Sequence, residues 1–440
     1  METDKGNTDM KRRSFMISGT GLVMITMLPA AAQDTNATPA YILGATAITQ
    51  VFGDGLRLTG VAVRQDRPVN AADLDPALYS VEGRTITAVY PSASPRPGNQ
   101  DASGNWIILE LSPTDENASL FVTDGRNTKR LPAATTVTIT PKSAAAQADE
   151  DAGPPDFNAI PRSIPTDSVV NLVVDEFVQD EFKDSMTGDT LAYNLYVPKD
   201  RNPAQKLPLV LFMHDAGNTS PVVDTTLVQG LGAVSWASAE DQAKNPAIVL
   251  APQYASQTVD DDSQATSLLE TTLHLVDFIA TSQNVDLDRV YTTGQSGGGM
   301  MSIAMLVKEP ERFAAAFLVA CQWDTAVVQP LARQKLWVVV AEGDAKAFPG
   351  QNDIMKVIEA EGTVHSEAVW DGNSDADKFA QSVADQVAKR TTVNYSVLKL
   401  GTVVPIGQED NAGSNHINTW RIAYAIPGIR DWIMMQAKTG

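Results

Sequence analysis

The pentapeptide Gly294-Gln295-Ser296-Gly297-Gly298 limits the fold more than any other stretch of the 440-residue chain. Its letters alone say little; its flanks give it meaning. Before it, Asp288-Arg289-Val290-Tyr291-Thr292-Thr293 is β-branched and aromatic and reads as a buried strand. After it, Gly299-Met300-Met301-Ser302-Ile303-Ala304-Met305-Leu306-Val307 reads as an apolar helix. A strand that turns directly into a helix at a serine is strained, and the helix must pack closely on the strand, so glycines are required. The helix start then aims backbone N–H groups at any negative charge that develops beside the serine.

The surroundings agree with a mostly parallel sheet. Leu207–Met213 is continuously apolar, as a strand covered on both faces should be. Ile248–Ala251, Ala315–Ala320, Leu336–Ala341 and Val393–Leu400 give further strands, and Thr266–Thr281 carries apolar residues at helical spacing. Leu172–Phe182 and Thr190–Val197 read as a strand pair about the turn at Thr187-Gly188-Asp189. Strands alternating with helices place residues 166–440 in one α/β domain.

Residues 38–142 are different. Ala47–Phe52, Leu56–Arg64, Thr85–Tyr90, Trp106–Leu111, Leu120–Thr123 and Thr135–Thr140 are short β-rich runs between turn clusters, the pattern of a small β-sandwich. This part holds no histidine; a substrate-handling role and a spacer role both stay open. Residues 143–165, alanine-rich and acidic and then proline-rich, read as an extended linker that need not pack into the catalytic core.

Residues 1–32 read as an export signal, with the pair Arg12-Arg13 before Ile17–Leu28 and Ala30-Ala31-Ala32 as a cleavage site. The arginine pair resembles a twin-arginine signal, Met10 is an alternative start, and an uncleaved anchor is the rival reading. The expected location is periplasmic or extracellular, with no stable membrane insertion after cleavage. A net charge of −20 argues against nucleic acid or an anionic membrane as partner. No HExxH, CxxC or GxGxxG spacing occurs, so no metal and no cofactor is expected. Cys321, the one cysteine, follows an apolar run and reads as a buried structural thiol.

A serine hydroxyl is a poor nucleophile unless a base lies in hydrogen-bond reach and a carboxylate orients that base. Around such an elbow the chain order is serine, acid, histidine. Of the four histidines, His416 lies after the last strand, in a loop before the helical Trp420–Gln436, and is the candidate base. His274 reads as a packed or surface residue of its helix, and His365 precedes the remaining strand. Asp344, in the turn directly after Leu336–Ala341, is the first candidate acid; Asp324 is second and Glu342 third. The oxyanion would be held by the N–H groups of Gly297 and of Ala216, in the turn after Met213. Trp323, Trp370, Met300 and Met301 are either pocket lining or core.

Tyr193-Asn194-Leu195-Tyr196-Val197-Pro198, Leu209–His214, Asp288–Tyr291 with the elbow, and His416 followed by Trp420, Ala423-Tyr424 and Asp431-Trp432 carry a family resemblance. Over 168–440 the chain resembles the α/β-hydrolase esterases of the polyhydroxybutyrate-depolymerase and feruloyl-esterase type. Val51–Gly55 and Val81–Ile86 resemble the immunoglobulin-like domain that precedes some of them. The resemblance implies an α/β-hydrolase fold, a mostly parallel sheet flanked by helices, after a small all-β immunoglobulin-like sandwich. It also implies a small-molecule or polymeric ester as substrate. Two departures stand out. The family has His-Gly at the oxyanion turn where this chain has His214-Asp215, so the acidic side chain is expected to point away. The strand before the acid, which often ends in histidine, here ends Val340-Ala341-Glu342. The expectation is an exported serine esterase. The rivals are a serine peptidase of the prolyl-oligopeptidase type and a catalytically inactive binding protein.

Overall fold

Alternation of apolar and polar residues sends the first part of the chain into antiparallel strands. A computed structural model describes residues 41–98, 100–124, 127–140, 162–202 and 204–438. The expected signal over 1–32 and residues 143–161 of the expected linker lie outside the described residues. Strands β1 (Ile42–Phe52), β2 (Gly55–Asn70), β3 (Tyr79–Val81), β4 (Ile86–Ser92), β5 (Ser103–Leu111), β6 (Phe121–Asp124), β7 (Asn127–Arg130), β8 (Thr136–Ile139), β9 (Arg162–Pro165) and β10 (Ser168–Asn171) build this part. Its main sheet has the order β10-β1-β2-β5-β4; β3, β8 and β9 form a second sheet.

Residue 165 is therefore too early a boundary. β9 pairs antiparallel with β8, and β10 pairs parallel with β1, so the chain stays in the sandwich to Asn171. The reason is local: Ser163 and Ile164 supply an edge partner that the proline spacing had hidden. The expected strand over Leu172–Phe182 shortens accordingly, because Val174–Glu176 is a single 3-10 turn.

The α/β part contains β11 (Val178–Lys183), β12 (Thr190–Tyr196), β13 (Leu207–Met213), β14 (Ile248–Gln253), β15 (Val285–Gln295), β16 (Ala315–Val319), β17 (Leu336–Ala341), β18 (His365–Trp370) and β19 (Val393–Leu398). Its helices are α1 (Thr225–Val228), α2 (Leu231–Ala237), α3 (Ala239–Lys244), α4 (Leu268–Ser282), α5 (Gly297–Lys308), α6 (Ala347–Ala360), α7 (Ala376–Val387), α8 (Ala412–Ala423) and α9 (Ile429–Met434). One sheet runs β11-β12-β14-β13-β15-β16-β17-β19-β18. It is parallel from β14 to β18, with β11 and β12 antiparallel at one edge. Alternate residues of each strand serve opposite faces: Leu209, Leu211 and Met213 pack with Leu273, Met301 and Ile354, while Val210 and Phe212 pack with Trp236, Trp420 and Trp432. The chain leaves β13 to one side for β14 and returns on the other for β15. That reversal opens a crevice at the carboxyl ends of β13 and β15, where such sheets hold ligands. The last pair in register there is Met213 with Gly294.

The two parts share a core. The apolar cluster on the second face continues from Val210 and Phe212 through Leu227 and Val228 to Leu56, Val61, Ile107 and Leu109 of the sandwich. The β1–β2 hairpin tip is wedged against the α/β part: a Cβ at Gly53 would lie 2.4 Å from the Arg421 carbonyl oxygen in α8, and one at Gly230 would lie 3.2 Å from the Gly53 carbonyl oxygen. Arg130 bonds Asp224 across the junction at 2.7 Å. The sandwich is thus packed against the α/β part and not joined to it by the covalent connection alone.

Candidate active site

Ser296 stands between β15 and α5 with φ 49° and ψ −119°, in backbone space that disfavours a side chain. Neighbours fix it there. Its N–H donates to Val319 O at 3.0 Å, and the N–H of Met300 donates to Ser296 O at 2.9 Å. The tightness explains the glycines: a Cβ at Gly294 would lie 2.4 Å from the Gly298 backbone, and one at Gly298 would lie 2.0 Å from Met213 O. Only hydrogen fits at either place.

His416 lies in the second turn of α8, not in a loop. Asn411 caps this helix, its side chain accepting from Ser414 N–H at 2.9 Å, so α8 starts before the imidazole. The expected single helix over Trp420–Gln436 is broken, because Pro427 and Gly428 (φ 90°) separate α8 from α9. His416 Nε2 is 2.8 Å from Ser296 Oγ, and His416 Nδ1 is 2.5 Å from Asp344 Oδ2. With Nδ1–H donating to the carboxylate, Nε2 is the acceptor for the serine proton.

Asp344 is 3% exposed. Burial alone would raise its pKa. The His416 hydrogen bond and charge, with N–H donation from Ala347 at 2.9 Å and Lys346 at 3.0 Å, outweigh burial and hold the carboxyl below its usual value. Asp324 and Glu342 are exposed and engaged elsewhere, the first accepting from Ala326 N–H and the second from Leu400 N–H.

A Cβ at Gly297 would lie 3.3 Å from Ala216 N, so the two candidate oxyanion amides are neighbours. Beside them, Asp215 Oδ2 accepts from Asn218 Nδ2 at 2.7 Å and Gln295 Nε2 at 2.9 Å. His214 is buried; its Nδ1–H donates to Asp215 O at 2.7 Å, and its Nε2 accepts from Tyr254 N–H at 3.0 Å. Burial lowers its pKa, and the donor-acceptor pattern fixes it neutral as a brace for the turn.

The remaining candidates sit apart. His274 Nδ1 is 2.6 Å from Asp184 Oδ2. His365 lies beside Glu359 and Tyr395. Cys321 is buried, its thiol pushed up to about 12 by burial. Trp370 packs on Trp337 and Phe379, and Met300, Met301 and Trp323 are buried in the core. Trp420, read only as a family marker, stacks edge-on to His416 at 5.2 Å; an aromatic one helical turn on was the available signal. The Asp215–Gln295 link joins strand ends 80 residues apart and gave none. A cavity of about 590 Å³ lined by Pro310, Phe313, Arg333, Lys335 and Lys438 lies at the opposite ends of β16 and β17. The candidate site is marked by hydrogen-bond geometry, not by cavity size. Among the described residues no group of three or more His, Cys, Asp or Glu could hold a metal, and no helix is long and apolar enough to cross a membrane.

Residues 44–153 match the family model of the esterase Ig-like N-terminal domain. Residues 265–329, which include the elbow, match that of the prolyl oligopeptidase family. A crystal structure of a thermostable esterase is similar over 90% of this chain and 100% of its own, with 24% identity and a TM-score of 0.73. A feruloyl esterase module from Clostridium thermocellum solved with sinapinate shows 12% identity over 57% of this chain and 87% of its own, TM-score 0.38. An acetyl xylan esterase from Aspergillus awamori shows 16% identity over 42% and 81%, TM-score 0.34. No curated protein sequence matches the chain. The fold is that of an α/β-hydrolase behind an immunoglobulin-like domain of the esterase type.

Proposed function

We propose that this chain is an exported serine esterase that cleaves carboxylic esters through an acyl-enzyme. The single observation that carries the reading is the continuous hydrogen-bond chain Ser296–His416–Asp344 at 2.8 and 2.5 Å. Ser296 Oγ attacks the ester carbonyl while His416 Nε2 takes its proton. The N–H groups of Gly297 and Ala216 receive the oxyanion. His416 returns the proton to the leaving alcohol, and Asp344 holds the imidazole and stabilises its charged form. Water then repeats the sequence on the acyl-enzyme. Export rests on the Arg12-Arg13 segment of the sequence.

The second reading is a serine peptidase, favoured by the prolyl-oligopeptidase match over 265–329. That segment spans α4, β15, the elbow, α5 and β16, which are parts common to both kinds of enzyme, so it does not separate them. The separating experiment is a comparison of rates on an acyl-chain series of esters, feruloyl esters, polyhydroxybutyrate and aminoacyl amides, with fluorophosphonate labelling alongside. We expect ester turnover, label on Ser296, and loss of both in Ser296→Ala, with kcat down on the order of a million-fold. Faster cleavage of amides than of esters would establish the peptidase. Absence of labelling in the native protein would establish an inactive site.

A further inference from the structure

Beside the oxyanion turn lies a buried carboxylate whose hydrogen-bond partners are side-chain amides. Asp215 is 6% exposed, and among the described residues no salt bridge to it is formed. Its Oδ2 accepts from Asn218 Nδ2 and Gln295 Nε2. The same two amides also reach Gln229 Oε1, at 2.6 and 3.0 Å. Asn218 closes the turn that carries the Ala216 amide; Gln295 precedes Ser296. The β13–β15 ladder ends at the pair Met213–Gly294. Beyond that pair the Gln295–Asp215 bond spans the two segments from which the oxyanion amides project.

A buried carboxylate without a cation is costly to keep ionised, and its charge works against a second negative charge nearby. The compensating gain is stiffness. A charged acceptor makes shorter and stronger hydrogen bonds than a neutral one, and here two of them converge on a single oxygen. Oxyanion stabilisation depends on donors held within a fraction of an ångström of their working place.

We infer that Asp215 is a positioning residue for acyl transfer, setting the spacing of the Ala216 and Gly297 amides through Gln295 and Asn218. The inference rests on the proposed reading of Ser296 as nucleophile and of these amides as oxyanion donors. It separates two properties of the side chain. The accepting oxygen maintains the amide spacing; the charge opposes the oxyanion.

Asp215→Asn retains the accepting oxygen and removes the charge, whereas Asp215→Ala removes both. On a short aryl ester, Asp215→Ala lowers kcat about 100-fold at unchanged KM, a loss of the size seen when one oxyanion donor is removed. Fluorophosphonate labelling of Ser296 slows in step, because phosphonylation uses the same donors. Asp215→Asn holds kcat at or above the native value. If Asp215→Ala does not fold by circular dichroism, Gln295→Met carries the test, with the same expected loss in kcat. The inference is overturned by native kcat in the alanine variant (or in Gln295→Met where that replaces it), by an asparagine variant as slow as the alanine one, or by a loss confined to KM. A native protein that neither labels nor turns over esters overturns the proposed function instead.

Discussion

Gly53→Ala tests whether the sandwich braces α8, the helix that carries His416. The added methyl would sit 2.4 Å from the Arg421 carbonyl oxygen and 2.9 Å from Arg421 Cγ. An ordinary carbon–oxygen contact is about 3.3 Å, so roughly 0.9 Å must be found. The hairpin cannot recede freely, because its Gly53 carbonyl oxygen already faces the α1–α2 junction at Gly230. The movement therefore falls on α8. That helix is also packed at its other end, where a Cβ at Gly343 would lie 2.4 Å from the Asn415 side chain, so the shift is carried along it as a body rather than taken up at Arg421 alone. His416 lies between the two restraints. Overpacking of this kind costs about 1–3 kcal/mol, and a displacement of about 1 Å at a reacting group costs about 100-fold in rate. We expect kcat/KM on a short aryl ester to fall about 10- to 100-fold. Circular dichroism should be native and Tm lower by a few degrees. A variant with kcat/KM within about twofold of native and an unmoved Tm would show that the hairpin yields, and the bracing argument would fail.

Asp344→Asn should lower kcat by about 10⁴ with KM nearly unchanged, since the amide cannot hold the productive tautomer or stabilise the imidazolium. Asp324→Asn should leave both constants native, and the reverse ranking in steady-state kinetics would move the acid to the loop after β16. Asp184 gives an acid-side prediction: burial opposes its ionisation, but His274, Met186 N–H and Thr187 outweigh burial and hold the carboxyl at about 2, below its ordinary 3.8. A depressed folded-state value stabilises above the unfolded value, so this contribution is present above pH 3.8 and is lost as pH falls toward 2. Urea midpoints measured across that window should fall less steeply in Asp184→Asn than in the native protein, and parallel curves would exclude the coupling. A chain that starts at Leu172 should give no soluble, folded enzyme, because the removed sandwich shares one buried apolar cluster with Leu227 and Val228 of α1; native-like circular dichroism with small-ester turnover would refute that.

Reading the sequence located what repeats with a local period or sits at a turn. The strand–serine–helix unit was legible because its first glycine is demanded by a contact within five residues, Gly294 against Gly298, although Gly298 itself is demanded by Met213 of β13. Leu207–Met213 was legible because a strand buried on both faces has no polar residue to interrupt it. Asp344 and His416 could be chosen because each follows a sheet strand, but the helix under His416 was missed. Its start depends on Asn411 as a cap, within a run of small polar residues that also reads as loop. Strands β9 and β10 were hidden because short strands in a proline-rich stretch take their identity from their partners β8 and β1. The network around Asp215 joins residues 215, 218, 229 and 295, and no local pattern announces a contact across 80 positions.

The wedge of the β1–β2 hairpin between α8 and Gly230 bears on how such a chain can be rebuilt. Immunoglobulin-like units are commonly treated as cassettes, to be cut at a linker and spliced onto another enzyme. Here the splice would have to carry more than the covalent joint. Gly53 fits because the Arg421 main chain leaves no room for a methyl, and a side chain at Gly230 would crowd the carbonyl oxygen of residue 53. Substitutions on one side are then viable only with matched changes on the other, and a chimaera made of two sound halves would inherit a steric mismatch at the helix that holds the imidazole.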